Sequence, residues 1–217
     1  MELELWMDVV CPWCLVGKTR LEAALAQFDH RDEVTLVQRS FELDAEAPAV
    51  REGSMAAHLA KRYGMTEDEA RQRHAEMTEM GNTVGIDFRF DLTRSGNTFD
   101  AHRLLHFARA QSPELGAALL ERLLRGYHSE GLAIGDHAAL TAAAVEVGLD
   151  ADAVRELLAS DRFANEVRAD EQRGSAVGIN GVPFLVLDER YGLSGAQPVE
   201  VFLQALQQAW DSQATAA

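Results

Sequence analysis

The chain has 217 residues, 47% of them hydrophobic, enough to bury a core without cross-links. That length is long for one layer pair and short for two independent domains, so one body carrying an insertion is expected. A formal net charge of -15 and an isoelectric point near 4.8 argue against nucleic acid or an anionic membrane surface as partner. No stretch approaches the ~20 apolar residues that a membrane-crossing helix requires. The acidic start at Glu2 and Glu4 lacks the basic and apolar regions of a leader, so the sequence reads as cytoplasmic.

Leu3, Leu5, Met7 and Val9 alternate with Glu2, Glu4, Trp6 and Asp8, the period-two pattern of a short strand with two different faces. From Leu15 the period lengthens: Val16, Leu21, Ala24, Leu25 and Phe28 follow at helical spacing. Both cysteines fall at this junction, in Cys11-Pro12-Trp13-Cys14. Pro12 is tolerated in a first helical turn, where its missing N–H has no partner to lose. A cysteine opening a helix faces unpaired amides and the positive end of the dipole, which favours a thiolate. Cys14, one turn deeper, is placed to resolve a mixed disulfide. The same spacing is also half of a zinc site, or two inert cysteines, but a structural zinc needs four ligands and there is no second CxxC. His102 and His106, four residues apart, are the best-spaced histidines; they lack the adjacent Glu of a zinc-protease helix and read as a polar helix face. No metal is expected.

Residues 30–33 form a polar break, and residues 34–41, with Val34, Thr35, Val37 and Phe41, are rich in strand formers. Strand, helix and strand make a βαβ unit with parallel strands. For more than a hundred residues thereafter the pattern is helical. Thr66 to Glu69 is a capping box; Ser112 followed by Pro113 and Glu114 marks another helix start; Asp136 and Asp150 are further N-caps. Asn97 or Thr98 caps a helix as well. Strand character returns over residues 182–188, with a turn at Glu189 and Arg190 and a short strand over residues 191–194, which together form a hairpin. A last helix carries Val199, Phe202, Leu203, Leu206 and Trp210 on one side, and the tail from Asp211 is expected to fray. The division expected is residues 1–44 with 171–217 as one domain and 45–170 as a helical insertion.

Four segments carry a resemblance that covers nearly the whole chain: Asp8-Val9-Val10-Cys11-Pro12-Trp13-Cys14, Gly96-Asn97-Thr98-Phe99-Asp100-Ala101-His102-Arg103, Gly178-Ile179-Asn180-Gly181-Val182-Pro183-Phe184, and Gly195-Ala196-Gln197-Pro198. The sequence resembles the thioredoxin-fold family of DsbA-like oxidoreductases, its cytosolic FrnE-like branch in particular. The resemblance implies an α/β thioredoxin fold with a large all-helical insertion between the βαβ unit and the C-terminal β-hairpin and helix. It implies thiol–disulfide exchange or isomerisation at Cys11 and Cys14, with Pro12 and Trp13 setting the poise. It also implies a cis Val182–Pro183 bond beside the CxxC, whose free Val182 backbone pairs with an extended substrate. Asn97 and His102 are implied second-tier substrate-binding residues. Asp8 is open between a solvated strand residue and an acid that relays the proton of Cys14.

The substrates expected are protein or small-molecule thiols and disulfides, with no cofactor and with glutathione as the candidate redox partner. The alternative is a glutathione-dependent isomerase or transferase of the 2-hydroxychromene-2-carboxylate isomerase and kappa type. Those proteins typically carry serine at the position of Cys11 and an Asp near the start of the last helix, which residues 195–198 do not supply. A non-catalytic chaperone is the third reading.

Overall fold

The structure, a computed structural model, describes residues 1–216. They run β1 (Glu2–Met7), α1 (Pro12–Leu25), β2 (Thr35–Ser40), α2 (Met55–Tyr63), α3 (Glu67–Asn82), α4 (Phe99–Gln111), α5 (Pro113–Ser129), α6 (His137–Glu146), α7 (Ala151–Leu158), α8 (Ala164–Ala176), β3 (Phe184–Leu187), β4 (Tyr191–Ser194) and α9 (Val199–Ala216). The chain divides into two compact units, Met1–Leu43 with Asp170–Ala217, and Asp44–Ala169.

The first unit is built on a sheet of order β2-β1-β3-β4. β1 and β2 are parallel, as two strands joined through a helix must be; β3 runs antiparallel to β1, and β4 antiparallel to β3. β1 is an interior strand with both edges paired, and both of its faces are covered as well. Leu3, Leu5 and Met7 are buried, and so are Glu4 and Trp6, so neither face of the strand is wet. A buried carboxylate must be paired, and Glu4 accepts from Arg39 Nη2 at 2.6 Å and Arg173 Nη2 at 2.8 Å. Trp6 Nε1 donates to the Asp170 carbonyl at 2.9 Å.

The hairpin turns at Asp188 and Glu189, one residue earlier than expected, with both residues at positive φ (48° and 56°) and Arg190 N–H donating to Leu187 O at 3.0 Å. This mirror-image turn usually carries Asn or Gly. Here Asp188 Oδ1 accepts from Glu2 N–H at 2.7 Å and Glu189 Oε1 from Arg173 at 2.7 Å, contacts that hold residues of ordinary propensity in an unusual conformation. α9 buries Phe202, Leu206 and Ala209, and Trp210 stacks on His30 with ring centroids 4.1 Å apart. The helix continues through Ala216, so the tail from Asp211 is helical rather than frayed; Ala217 lies outside the described residues.

The second unit, among its described residues, holds helices and no strand. The four expected starts are present: Thr66 closes a full capping box with Glu69, and Ser112, Asp136 and Asp150 accept from the first-turn amides of α5, α6 and α7. α4, α5 and α6 pack in sequence, burying Leu104, Leu105, Leu119, Leu123, Leu124 and Leu140.

Candidate active site

As the chain leaves β1, the Asp8 carbonyl accepts the Cys11 N–H at 3.1 Å, and the Cys11 carbonyl then accepts from Cys14 N–H at 3.0 Å and Leu15 N–H at 3.3 Å. Cys11 is thus the N-cap of α1, in extended conformation, with Pro12 in the first turn. Both cysteines are buried, Cys11 4% and Cys14 0% exposed, whereas Trp13 between them is 46% exposed. The sulfur of Cys11 makes no capping hydrogen bond to the helix amides. It donates instead to the Val182 carbonyl at 3.7 Å, and this corrects the expectation that it faces the helix end alone. The Val182–Pro183 bond is cis.

Burial, and then the hydrogen bond and charge of the neighbouring Cys11, hold the Cys14 thiol well above the usual thiol range; the Asp8 backbone amide offsets part of this, and the Asp8 charge adds to it. Asp8 itself is fully buried, which corrects its reading as a solvated strand residue. Its Oδ2 accepts from Leu43 N–H at 2.8 Å and its Oδ1 from Val10 N–H at 3.4 Å. A carboxylate beside a buried thiol is chemically a proton acceptor for it.

The segment after β4 completes this side of the unit. Gly195, at φ 82°, donates its N–H to the Pro183 carbonyl at 2.8 Å. The next carbonyl, of Ala196, accepts from Arg20 Nη1 of α1 at 2.8 Å. A Cβ on Gly17 would meet Pro183 Cγ at 3.0 Å and Ala196 Cα at 3.4 Å, so any larger residue would push Pro183 and the Ala196 backbone away from α1. Sequence reasoning missed Gly17 and Arg20. The signal was there: a glycine inside a helix costs about 0.5–1 kcal/mol relative to alanine and needs a packing reason.

Asn97 and His102 belong to the second unit. Asn97 Nδ2 donates to Ala45 O at 3.1 Å, its N–H to Pro48 O at 2.9 Å, and its Oδ1 accepts from Phe99 N–H at 2.8 Å. Thr98 occupies the N-cap of α4 without a side-chain cap, so Asn97 supplies the capping oxygen. His102 is 0% exposed, which corrects its reading as part of a polar face, and His106 stacks near Phe163 at 6.4 Å. No group of three or more metal-ligating side chains occurs among the described residues, and no helix among them is long and apolar enough to cross a membrane.

The sequence model of the DSBA-like thioredoxin domain matches residues 2–207. Among solved structures, a probable DsbA oxidoreductase from Streptomyces coelicolor is 44% identical, with a TM-score of 0.92 over 97% of this chain and 90% of that one. The cytosolic disulfide reductase DsbM from Pseudomonas aeruginosa, in a structure with GSH, is 18% identical at a TM-score of 0.67, over 97% of this chain and 100% of that one. A 2-hydroxychromene-2-carboxylate isomerase is 14% identical at a TM-score of 0.68, each chain covered fully; the last two similarities speak for the fold. No curated protein sequence matches. The fold is the thioredoxin fold, with helices inserted between β2 and β3.

Proposed function

Because the chain belongs to the DsbA-like thioredoxin-domain family, we propose that it exchanges thiols and disulfides through Cys11 and Cys14. The observation that carries this reading is the pairing at the start of α1. Cys11 Sγ sits at the helix N-cap, 3.7 Å from the carbonyl that precedes Pro183, and Cys14 lies fully buried behind it with its proton held on.

In the reducing direction the Cys11 thiolate attacks one sulfur of a substrate disulfide. A bond forms between Cys11 and that sulfur, the substrate S–S bond breaks, and the second substrate sulfur leaves as a thiolate. Cys14 then gives its proton to Asp8 and attacks Cys11, which releases the first substrate sulfur and leaves the Cys11–Cys14 disulfide. Two electrons have passed to the substrate. The reverse sequence oxidises a dithiol, and reduction of one substrate disulfide followed by the reverse sequence at a different cysteine pair isomerises it with no net electron transfer. Val182 binds the substrate backbone, while Pro12 and Trp13 shape the approach to the sulfur. Asn97 and His102 assist substrate binding in this reading.

No cofactor is required. Two molecules of glutathione return the disulfide to the dithiol, yielding glutathione disulfide, and a cytoplasmic location supplies that thiol. The DsbM structure with GSH supports glutathione as the recycling partner.

The test is trapping. Cys14→Ala exposed to glutathione disulfide should accumulate one glutathione on Cys11, seen by intact mass, and a Cys11→Ser companion should accumulate none. Failure of the Cys14→Ala variant to form the adduct would overturn the proposal.

A further inference from the structure

We infer that Arg20 is a positioning residue for the reacting sulfur of Cys11, acting through the turn at Gly195 and Ala196; this rests on the exchange reaction proposed above. Three hydrogen bonds, closed by helix α1 itself, form a circuit inside the first unit. Arg20 Nη1 donates to the Ala196 carbonyl at 2.8 Å. The neighbouring Gly195 N–H donates to the Pro183 carbonyl at 2.8 Å. Pro183 follows Val182, whose carbonyl receives the Cys11 sulfur at 3.7 Å. Cys11 begins the helix that carries Arg20. Gly17, between them on α1, is the place where Pro183 and Ala196 press against the helix.

The geometry makes the circuit informative. A weak sulfur–oxygen hydrogen bond is sensitive to small displacements of its acceptor, and the acceptor here is a backbone carbonyl that cannot swing independently of its loop. Two connections fix that loop: the amide of Gly195, in a conformation that favours glycine at φ 82° and one rung beyond the Phe184–Ser194 pair of the β3–β4 ladder, and through the next residue the guanidinium of Arg20. Arginine suits the task because its planar head donates in fixed directions. Through its bond to Ala196, Arg20 sets where the Val182 carbonyl stands.

The reduced form is the one in which Cys11 can donate to Val182. Loosening the turn removes that bond from the dithiol and not from the disulfide, which has no S–H. Arg20→Ala should therefore shift the Cys11–Cys14 equilibrium with glutathione toward the disulfide by about threefold, the size expected of one weak sulfur–oxygen bond. Arg20→Lys, which keeps a donor near Ala196, should restore most of the wild-type constant. Gly17→Ala, which presses on Pro183 from the helix side, should shift the constant by a similar factor and keeps the question answerable if Arg20→Ala fails to fold.

The experiment measures the equilibrium constant against glutathione for wild type and all three variants, with urea unfolding of each. A shift in Arg20→Ala and its recovery in Arg20→Lys support the inference. Lower urea stability with an unchanged constant in Arg20→Ala, or an unchanged constant in a folded Gly17→Ala, overturns it and leaves the exchange reaction standing. A wild-type chain with no two-electron transition overturns the exchange reaction itself, and this inference with it.

Discussion

The Oδ2 of Asp8 accepts the N–H of Leu43 at 2.8 Å, so the carboxylate that follows β1 is fixed by the segment that follows β2. That bond explains why a charged residue is fully buried three positions before the reactive cysteine. It also leaves Asp8 oriented rather than mobile, as a group that accepts a proton from Cys14 must be.

Asp8→Asn should slow the resolving step and leave the first attack little changed. A factor of about 100 is expected, at the low end for loss of a positioned base. Stopped-flow release of the thiol from a preformed Cys11 mixed disulfide measures it directly.

The raised Cys14 thiol has a consequence for stability. Its folded value stands above the unfolded one, so the stabilising contribution is complete below the unfolded thiol range near ~8.5 and declines as pH rises beyond it. Across that window the unfolded chain has released a proton that the native chain retains. Urea midpoints of the reduced chain should fall above pH ~8.5, and Cys14→Ala should flatten the fall.

Glu4 behaves in the opposite sense. Burial pushes its carboxyl up, but the hydrogen bonds and charges of Arg173 and Arg39 outweigh burial and hold it below the usual range. Its contribution is present above the unfolded carboxylate value and disappears as pH falls through the folded one. Glu4→Gln removes a carboxylate from two partly exposed arginines that keep Asp170 and Glu189 as partners, and should cost about 2 kcal/mol at pH 7, the scale of lost hydrogen bonds between charged groups. The difference from wild type should narrow toward acid pH, as followed by denaturant unfolding.

Asn97→Ala removes the donor to Ala45 and the acceptor for Phe99 N–H. Loss of one cap and one loop hydrogen bond should cost about 1–2 kcal/mol. Thermal unfolding gives that cost.

Much of the fold was written locally. The change from period two to helical spacing around Cys11 places β1 and α1, and side-chain caps at Thr66, Ser112, Asp136 and Asp150 announce four helices before any packing is known. What the sequence hid depends on neighbours remote in the chain. The burial of Glu4 and Trp6 is not announced by the alternating pattern, because their partners Arg39, Asp170 and Arg173 lie far from them in sequence. The turn at Asp188 and Glu189 carries no glycine or asparagine and is held by distant partners. His102 reads as surface by its polarity and is buried. At the site, the two cysteines and the cis bond were legible from motif and resemblance, whereas the Arg20 to Ala196 link spans 176 positions and has no local signature.

The most direct measurement is the redox equilibrium of Cys11 and Cys14 against glutathione, followed by tryptophan fluorescence, with Cys11→Ser as control. The account predicts a single two-electron transition in the wild-type chain that is lost in the control. A chain that binds glutathione yet forms no Cys11–Cys14 disulfide at any glutathione ratio would contradict it and would make the glutathione-dependent isomerase the better reading.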